Sequence, residues 1–383
     1  MKFLKKLLKW IVIPFGLLIL VTYVFDYNYI LKGVRIVYFT GHNTAFIDDY
    51  PYFENAIIEK SNNPEPWPNH KDYNKVKETE VLSTSNKDWG TIAFVIIKND
   101  SIWFENYYDG FNENSKTNSF SMAKSITSAM LGKAIMDGHI KSLDQPISDF
   151  YPKYKYAKTT VGDLASMASG LDWVESYTSP FSVTARSNYD DDLAEVILNQ
   201  EITETPGVTY KYLSGSTALL GMIIQKATEK PLANYLSENF WKPMGATNDA
   251  LWQLDDDDNK LAKAFCCISS NAKDFARFGK LYKDYGKWNG QQLLDSTFVV
   301  KSVTPRFNES PEYGYGWWLK EQNEKSFFMM RGHLGQYVIV QPEDNVIIVR
   351  LGHQKSSDEG EPTFTKDISV YIDEAYKMLN SKR

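Results

Sequence analysis

The stretch SFSMAKSITSAM, residues 119–130, decides how the rest of the chain is interpreted. It places Ser121 three residues before Lys124, where apolar residues begin to recur at helical spacing over 122–138. Residues three apart lie on the same face of a helix, so we expect the hydroxyl and the amine to approach each other. A serine at a helix start is most often a cap for the backbone, so this motif alone leaves cap and nucleophile both open.

A serine at the start of a helix is well placed to attack a carbonyl. The positive end of the helix dipole favours a developing alkoxide, and the unsatisfied backbone N–H of Ser121 is available to an oxyanion. Lys124 acts as a base only if its pKa falls from about 10.4 toward 7, which requires burial or another nearby cation. We expect a tyrosine to share that task, because the ammonium group of Lys124 would make its phenolate more accessible.

Length and composition predict a large folded domain and exclude nucleic acid as a partner. The chain has 383 residues, 43% of them hydrophobic, which is ample for a sizeable core. The formal net charge is −6 and no basic stripe is visible, which argues against nucleic-acid binding. The 24 Tyr, 21 Phe and 10 Trp favour a cleft with aromatic walls.

The sequence predicts neither a metal nor a cofactor. The five His residues are scattered, and no His, Cys or carboxylate cluster has ligand spacing. The acidic run at 255–258 lacks the oxygen spacing of a calcium loop, so we interpret it as a solvated turn. The adjacent Cys266 and Cys267 are expected to be two buried thiols, because a bridge between neighbours would be strained.

The first 26 residues predict a membrane anchor. Lys2, Lys5, Lys6 and Lys9 precede WIVIPFGLLILVTYVF, which runs 16 residues without a charge. The exit, TYVFDYNYI, is bulky, whereas a cleaved signal peptide ends in small residues. We therefore expect an uncleaved, single-pass anchor in the cytoplasmic membrane. Basic residues before the span place the N-terminus in the cytoplasm and the body on the extracytoplasmic (periplasmic) side.

The remaining pattern predicts an α+β fold. Residues 27–85 look irregular and are interpreted as a linker and covering segment, followed by a hydrolase domain over 86–383. A hairpin is predicted over 91–108, several strands over the C-terminal third and a closing helix over 364–379. We expect one antiparallel sheet built from both chain ends, flanked by helices, with a helical subdomain at approximately 115–305 inserted between them.

Several motifs occur in an order that is similar to a known superfamily. They are SFSMAKS, TTVGDLASMASGLDW (159–173), TPGVTYKYLSGSTALLG (205–221), NAKDFARFGKLY and RGHLGQY (331–337). Together they resemble the serine β-lactamase/DD-peptidase superfamily over roughly residues 88–380. The branch resembled is that of class C β-lactamases, esterases and 6-aminohexanoate-dimer hydrolases. The resemblance implies a β-lactamase-like fold and a serine hydrolase that works through an acyl-enzyme.

The resemblance also implies roles for individual residues. Ser121 would be the acylated nucleophile, Lys124 its activating partner and Tyr212 the proton shuttle. Ser214 stands where the family usually has an asparagine that binds the substrate carbonyl. His333 and Gly335 match a motif that the family carries on a sheet-edge strand. The N–H of Gln336 would complete the oxyanion hole there with that of Ser121.

A loop after Gly170 is expected to overhang the cleft. It carries Trp173 and Tyr177, and we expect one of these two rings to touch the substrate. Trp317 and Trp318 alternate across a predicted strand, so at most one of them is expected to face the cleft.

Two departures from the family pattern bear on the substrate. Ser214 lacks the amide of asparagine, and His333 replaces a permanent cation with one that titrates near pH 6.5. Both argue against an efficient β-lactamase and favour a small-molecule or peptide-like ester or amide. A D-Ala-D-Ala-type peptidase or penicillin-binding protein stays open as an alternative. So does a non-catalytic, membrane-tethered binding or sensor protein with this fold.

Overall fold

The computed structural model describes residues 2–358 and 363–381. The side chains of residues 2–6, including the basic Lys2, Lys5 and Lys6, lie outside that description. The helices are α1 Lys2–Val24, α2 Asn28–Val37, α3 Glu80–Asp88, α4 Met122–Met136, α5 Val161–Ala165, α6 Val183–Tyr189, α7 Leu193–Leu198, α8 Ser214–Thr228, α9 Leu232–Leu236, α10 Ala272–Lys283, α11 Ser296–Ser302 and α12 Lys366–Asn380. The strands are β1 Asn55–Ile58, β2 Thr91–Lys98, β3 Ser101–Tyr107, β4 Thr117–Asn118, β5 Ala250–Gln253, β6 Ile268–Ser270, β7 Lys287–Trp288, β8 Gln291–Gln292, β9 Trp318–Gln322, β10 Lys325–Gly332, β11 Gln336–Gln341 and β12 Val346–Gly352.

The main sheet is built from both ends of the chain, as predicted. Its strand order is β3-β2-β12-β11-β10-β9, and every neighbouring pair is antiparallel. The predicted hairpin is β2–β3, which turns at Asn99 and Asp100 with φ of 50° and 57°. Asparagine and aspartate tolerate this left-handed backbone, which a tight hairpin turn requires. The pairing of β2 with β12 joins the two ends of the chain into one layer.

Helices cover both faces of this sheet. Val95 and Val349 belong to the core on the face that α10 covers, and Gly279 of α10 lies close to the strands there. Phe94 and Ile348 belong to the core on the opposite face, together with residues of α12. Because both faces are buried, β2 and β12 are almost continuously apolar instead of alternating with polar residues. The predicted α+β class is therefore confirmed.

Helices α4 to α11 come between β3 and β9 in the chain. Helix α4 is buried on nearly all sides, so its apolar residues surround it instead of forming a stripe. It packs against α8 and against the strand β10 of the main sheet. A second, four-stranded sheet of order β1-β5-β6-β4 lies in this part of the molecule. The seam between the helices and the main sheet is where α4 begins.

Two local expectations differ from the structure. Residues 27–85, expected to be irregular, contain α2, β1 and α3, and β1 pairs with β5 of the second sheet. Cys266 and Cys267 form a disulfide with each other, so the expectation of two thiols is wrong. A left-handed φ of 74° at Cys267 brings the two neighbouring side chains together.

Candidate active site

Lys124 lies at the centre of the seam and is only 3% exposed. Its Nζ donates to Oγ of Ser121 at 3.0 Å, to Oγ of Ser214 at 3.2 Å and to the carbonyl of Phe265 at 3.0 Å. Burial lowers the pKa of Lys124 to about 8, and the charge of Glu175 opposes part of that fall. The structure thus brings Ser121, Lys124 and Ser214 together. It also brings the pKa of Lys124 close to neutral pH.

Ser121 occupies the position just before α4. Within the described residues its side chain makes no capping hydrogen bond, and its Oγ instead accepts from Lys124. The residue before it, Phe120, has a left-handed φ of 44°. That conformation is held by Asn118, whose Oδ1 accepts from the N–H of Phe120 at 2.8 Å and whose Nδ2 donates to Asp49 at 2.9 Å. The backbone immediately before Ser121 is therefore held in one conformation.

Tyr212 completes the group around Ser121. Its hydroxyl interacts with Ser121, and its ring lies 5.0 Å from Nζ of Lys124. Burial raises the pKa of Tyr212 above its ordinary value, so the expectation of an accessible phenolate is wrong. The ring packs on Trp318 at 5.1 Å, whereas Trp317 is fully buried in the core.

Glu175 contacts Ser214, and none of the sequence motifs identified it. Its carboxylate accepts from the N–H and the Oγ of Ser214, each at 2.7 Å. It also accepts from Nε1 of Trp173 at 2.8 Å and from the hydroxyl of Tyr177 at 2.6 Å. Ser214 therefore connects the two charged groups, because its Oγ accepts from Nζ of Lys124 and donates to the carboxylate of Glu175. The sequence does show a carboxylate in the loop after Gly170, but no spacing rule connects Glu175 to Ser214.

Trp173 and Tyr177, one of which was expected to touch the substrate, lie in different places. Trp173 is buried, and its ring packs over Gly215, where an added Cβ would come within 2.4 Å. Tyr177 lines the pocket next to the candidate nucleophile. Its ring stacks on the His333 imidazole with centroids 5.8 Å apart and planes 9° from parallel.

His333 lies in a short turn, His333–Gly335, between β10 and β11. Both strands have neighbours on each side, so the expectation of a sheet-edge strand is wrong. Gly335 has φ of 84°, and Nη1 of the buried Arg350 donates to its carbonyl at 2.8 Å. The carboxamide of Gln336 is also buried and donates to the carbonyl of Gly352 at 2.7 Å, which ties the turn to β12.

The charge of His333 also differs from the expectation. Burial lowers its pKa to about 4, with a smaller contribution from the charge of Lys355. The ring is therefore neutral at physiological pH and does not titrate near 6.5. It contributes an aromatic wall between Tyr177 and Phe120, whose ring meets it edge-on at 5.5 Å.

A pocket of about 190 Å³ opens from this group of residues. Ser121, Ser214, Tyr177 and His333 line one end, with Phe265 and the Cys266–Cys267 disulfide beside them. The other end is formed by α2 and the residues that follow it. Across the described ranges, no three His, Cys, Asp or Glu residues are grouped to hold a metal ion.

The protein-family model described as Beta-lactamase matches residues 84–370. A 6-aminohexanoate-dimer hydrolase from Paenarthrobacter ureafaciens is 24% identical over 293 residues, which cover 70% of this chain and 74% of that protein. Protein flp from Staphylococcus aureus is 27% identical over 177 residues, 42% of this chain and only 34% of flp. A Bacillus anthracis structure solved under the provisional name of a 6-aminohexanoate-dimer hydrolase superposes with a TM-score of 0.74 at 22% identity, covering 91% of this chain and 93% of that one.

Proposed function

Because this chain belongs to the Beta-lactamase family, a family of serine hydrolases with this fold, we propose that it hydrolyses ester or amide bonds through an acyl-enzyme on Ser121. The observation that carries the proposal is the 3.0 Å contact between Nζ of a buried Lys124 and Oγ of Ser121. With its pKa near 8, Lys124 is neutral in about a tenth of the molecules at pH 7, which is enough for a general base.

In acylation, a bond from Oγ of Ser121 to the carbonyl carbon replaces the bond to the leaving group, and the net proton transfer is from Ser121 to that group. Oγ of Ser121 attacks the carbonyl carbon while its proton passes to the neutral Nζ of Lys124. The backbone N–H of Ser121 faces the developing oxyanion, and we assign the second donor to the N–H of Gln336. The bond to the leaving alcohol or amine then breaks, which leaves the acyl group on Ser121.

The raised pKa of Tyr212 defines its part in the proposal. A tyrosine that stays protonated donates its hydroxyl proton to the leaving group. The ammonium of Lys124 has the lower pKa of the two, so it returns a proton to Tyr212 and becomes neutral again. Water then attacks the acyl ester and gives a proton to the neutral Nζ of Lys124. Lys124 passes that proton to Oγ of Ser121 as the bond to the acyl group breaks, which releases the acid and restores both residues.

We also propose that α1 anchors the enzyme to the cytoplasmic membrane with the hydrolase domain outside. Leu7–Val24 is an 18-residue window of mean hydropathy 2.2 that lies outside the folded body. A helix of this length spans a bilayer core. The basic residues before it support a cytoplasmic N-terminus.

The direct test is covalent labelling of the full chain in detergent. A fluorophosphonate probe is expected to modify Ser121, identified by mass spectrometry, and Ser121→Ala is expected to abolish labelling and turnover. Ser83→Ala, at an exposed serine on α3, is the matched control and keeps both. Unchanged turnover in Ser121→Ala would reject the proposal, and absence of any turnover in the wild type would favour a binding protein instead. Release of D-alanine from a stem peptide would identify the peptidase alternative.

A further inference from the structure

The segment that follows α1 forms part of the wall of the pocket that contains Ser121. Ile30, Val34 and Val37 of α2 line it, and Tyr29 and Phe53 add aromatic surface. Ile30 and Val34 are partly exposed, whereas Tyr29 and Val37 are buried. The segment expected to be a linker is therefore part of the candidate binding site.

Helix α2 is fastened to the hydrolase domain at several points. Lys32 pairs with Asp191 at 2.5 Å and also donates to the carbonyl of Asp255 at 3.0 Å. Gly33 lies against the ring of Tyr189, where an added Cβ would come within 3.1 Å. These contacts fix the wall relative to the catalytic residues, so the pocket does not depend on a flexible tether.

The same helix is almost continuous with the apolar α1. Only three residues, 25–27, separate the two helices. Arg186 of α6 pairs with Asp26 in that connection, and Phe181 meets the ring of Tyr27 edge-on at 5.7 Å. Since α2 has ten residues and is about 15 Å long, the part of the wall that α2 forms lies within one short helix of the proposed span.

Exposed aromatic side chains lie before and after α2 in the chain and on the loop that contacts Tyr27. Phe25, Tyr38 and Phe39 are 65%, 63% and 82% exposed. Phe181, on the loop that contacts Tyr27, is 68% exposed. Tyrosine is enriched at the interface between bilayer and water, and phenylalanine occurs on the buried apolar face of interfacial helices, so these exposed rings suit contact with a membrane surface.

Over the residues that the structure describes, the pocket lining offers no lysine or arginine side chain to an anionic substrate, and the ammonium of Lys124 lies behind Ser121 and Ser214, where it already makes three hydrogen bonds. Among the pocket-lining residues in the described part of the chain, none is lysine or arginine, and Asp49 is the one carboxylate. His333 is neutral at physiological pH. A cavity of about 150 Å³ binds benzene, so one of 190 Å³ holds roughly six to eight carbons of an alkyl chain.

We propose that the pocket binds the alkyl chain of a neutral, single-chain amphiphile, whose ester or amide bond Ser121 cleaves at the membrane surface. This inference rests on the proposed function, because it names the substrate class of the same site. The first six to eight carbons next to the scissile carbonyl would lie along α2, and any further length would extend toward the bilayer.

The test is a chain-length series with the full-length protein in phosphatidylcholine vesicles. Rates with p-nitrophenyl esters from acetate to dodecanoate are expected to rise by up to about fourfold per methylene and to level off near six to eight carbons. Val34→Asp is expected to lower the octanoate-to-acetate ratio of kcat/KM at least tenfold. Val34→Phe, which shortens the pocket without adding charge, should move the plateau to shorter chains. Val81→Asp, the same change at an exposed position on α3, should keep the wild-type ratio.

A second arm tests the source of the substrate. Enzyme and a hexadecanoate ester in the same vesicles are expected to react at least tenfold faster than when they occupy separate vesicles. Equal rates in both arrangements, or a flat chain-length series with Ser121-dependent acetate hydrolysis, would overturn the inference and leave the proposed function standing. Absence of Ser121-dependent hydrolysis of every ester would instead reject the proposed function. Thermal unfolding of each variant shows whether a lost preference reflects a misfolded chain.

Discussion

The two sides of the cleft are built in opposite ways. On the helical side, Lys124 makes three hydrogen bonds and Glu175 accepts four, so polar side chains form a connected network. On the sheet side, the His333 ring is neutral, stacks on Tyr177 and meets Phe120 edge-on. Proton transfer is thus concentrated on one side, while the other offers shape and apolar surface.

This difference teaches how the fold separates reactivity from selectivity. Burial and the charge of Glu175 set the pKa of Lys124, so a change in this network also changes the fraction of Lys124 that is charged. The His333 ring carries no charge at neutral pH, so its alteration should affect which substrate binds and leave the proton chemistry intact. The following predictions test that separation, beginning with the largest effect.

Lys124→Met should lower kcat by about 10²–10⁴-fold, because it removes the general base and leaves the rest of the site in place. The measurement is steady-state hydrolysis of a short ester at pH 8, with Lys133→Met as a control on the same helix. A loss below tenfold would contradict the assignment of Lys124 as the base.

The same substitution should raise stability at neutral pH. The pKa of Lys124 falls from 10.5 to about 8 on folding, so the folded chain binds fewer protons than the unfolded chain between pH 8 and 10.5. The penalty for burying the ammonium is therefore complete below pH 8 and disappears as the pH approaches 10.5. At pH 7 its upper limit is about 3 kcal/mol, reduced by the hydrogen bonds that methionine cannot make. Thermal unfolding should show a gain at pH 7 that narrows by pH 10, and an equal gain at both would be evidence against the shift.

Glu175→Gln should move the pH dependence of kcat/KM toward lower pH. The negative charge raises the pKa of Lys124, so its removal lets that pKa fall further below 8. We expect the midpoint of the rising limb to move to lower pH. The pH profile is the decisive measurement, since a purely structural role would lower the plateau without moving the midpoint.

His333→Gln should have the smallest effect on the pH dependence. Because the pKa of His333 is about 4, the wild-type profile should show no inflection from this ring between pH 5 and 8. The variant should keep the midpoint near 8, with its changes confined to KM. If the wild type shows an inflection near 6.5 that the variant loses, His333 titrates as a free imidazole and the separation fails.

The sequence predicted what depends on local pattern. The hairpin β2–β3 and the helix after Ser121 followed from periodicity and turn residues, whereas the meeting of both chain ends in one sheet agreed with the fold that the family resemblance implied. The charge of His333 could not be predicted this way, because it depends on burial by rings that are distant in sequence, such as Phe120 and Tyr177. Glu175 was missed for the same reason, since only the folded loop brings it 2.7 Å from Ser214.

Gly332, at the end of β10, has a consequence for engineering the site. A side chain there would place its first carbon 2.2 Å from the carbonyl of Ser119, on the segment that carries the candidate nucleophile. In a saturation library, position 332 should accept almost no replacement. The neighbouring position 333 should accept more, because the His333 side chain packs only against the rings of Phe120 and Tyr177 among the contacts described above. Laboratory evolution of new substrate ranges should therefore accumulate changes at the aromatic wall and along α2, and should leave Gly332 untouched.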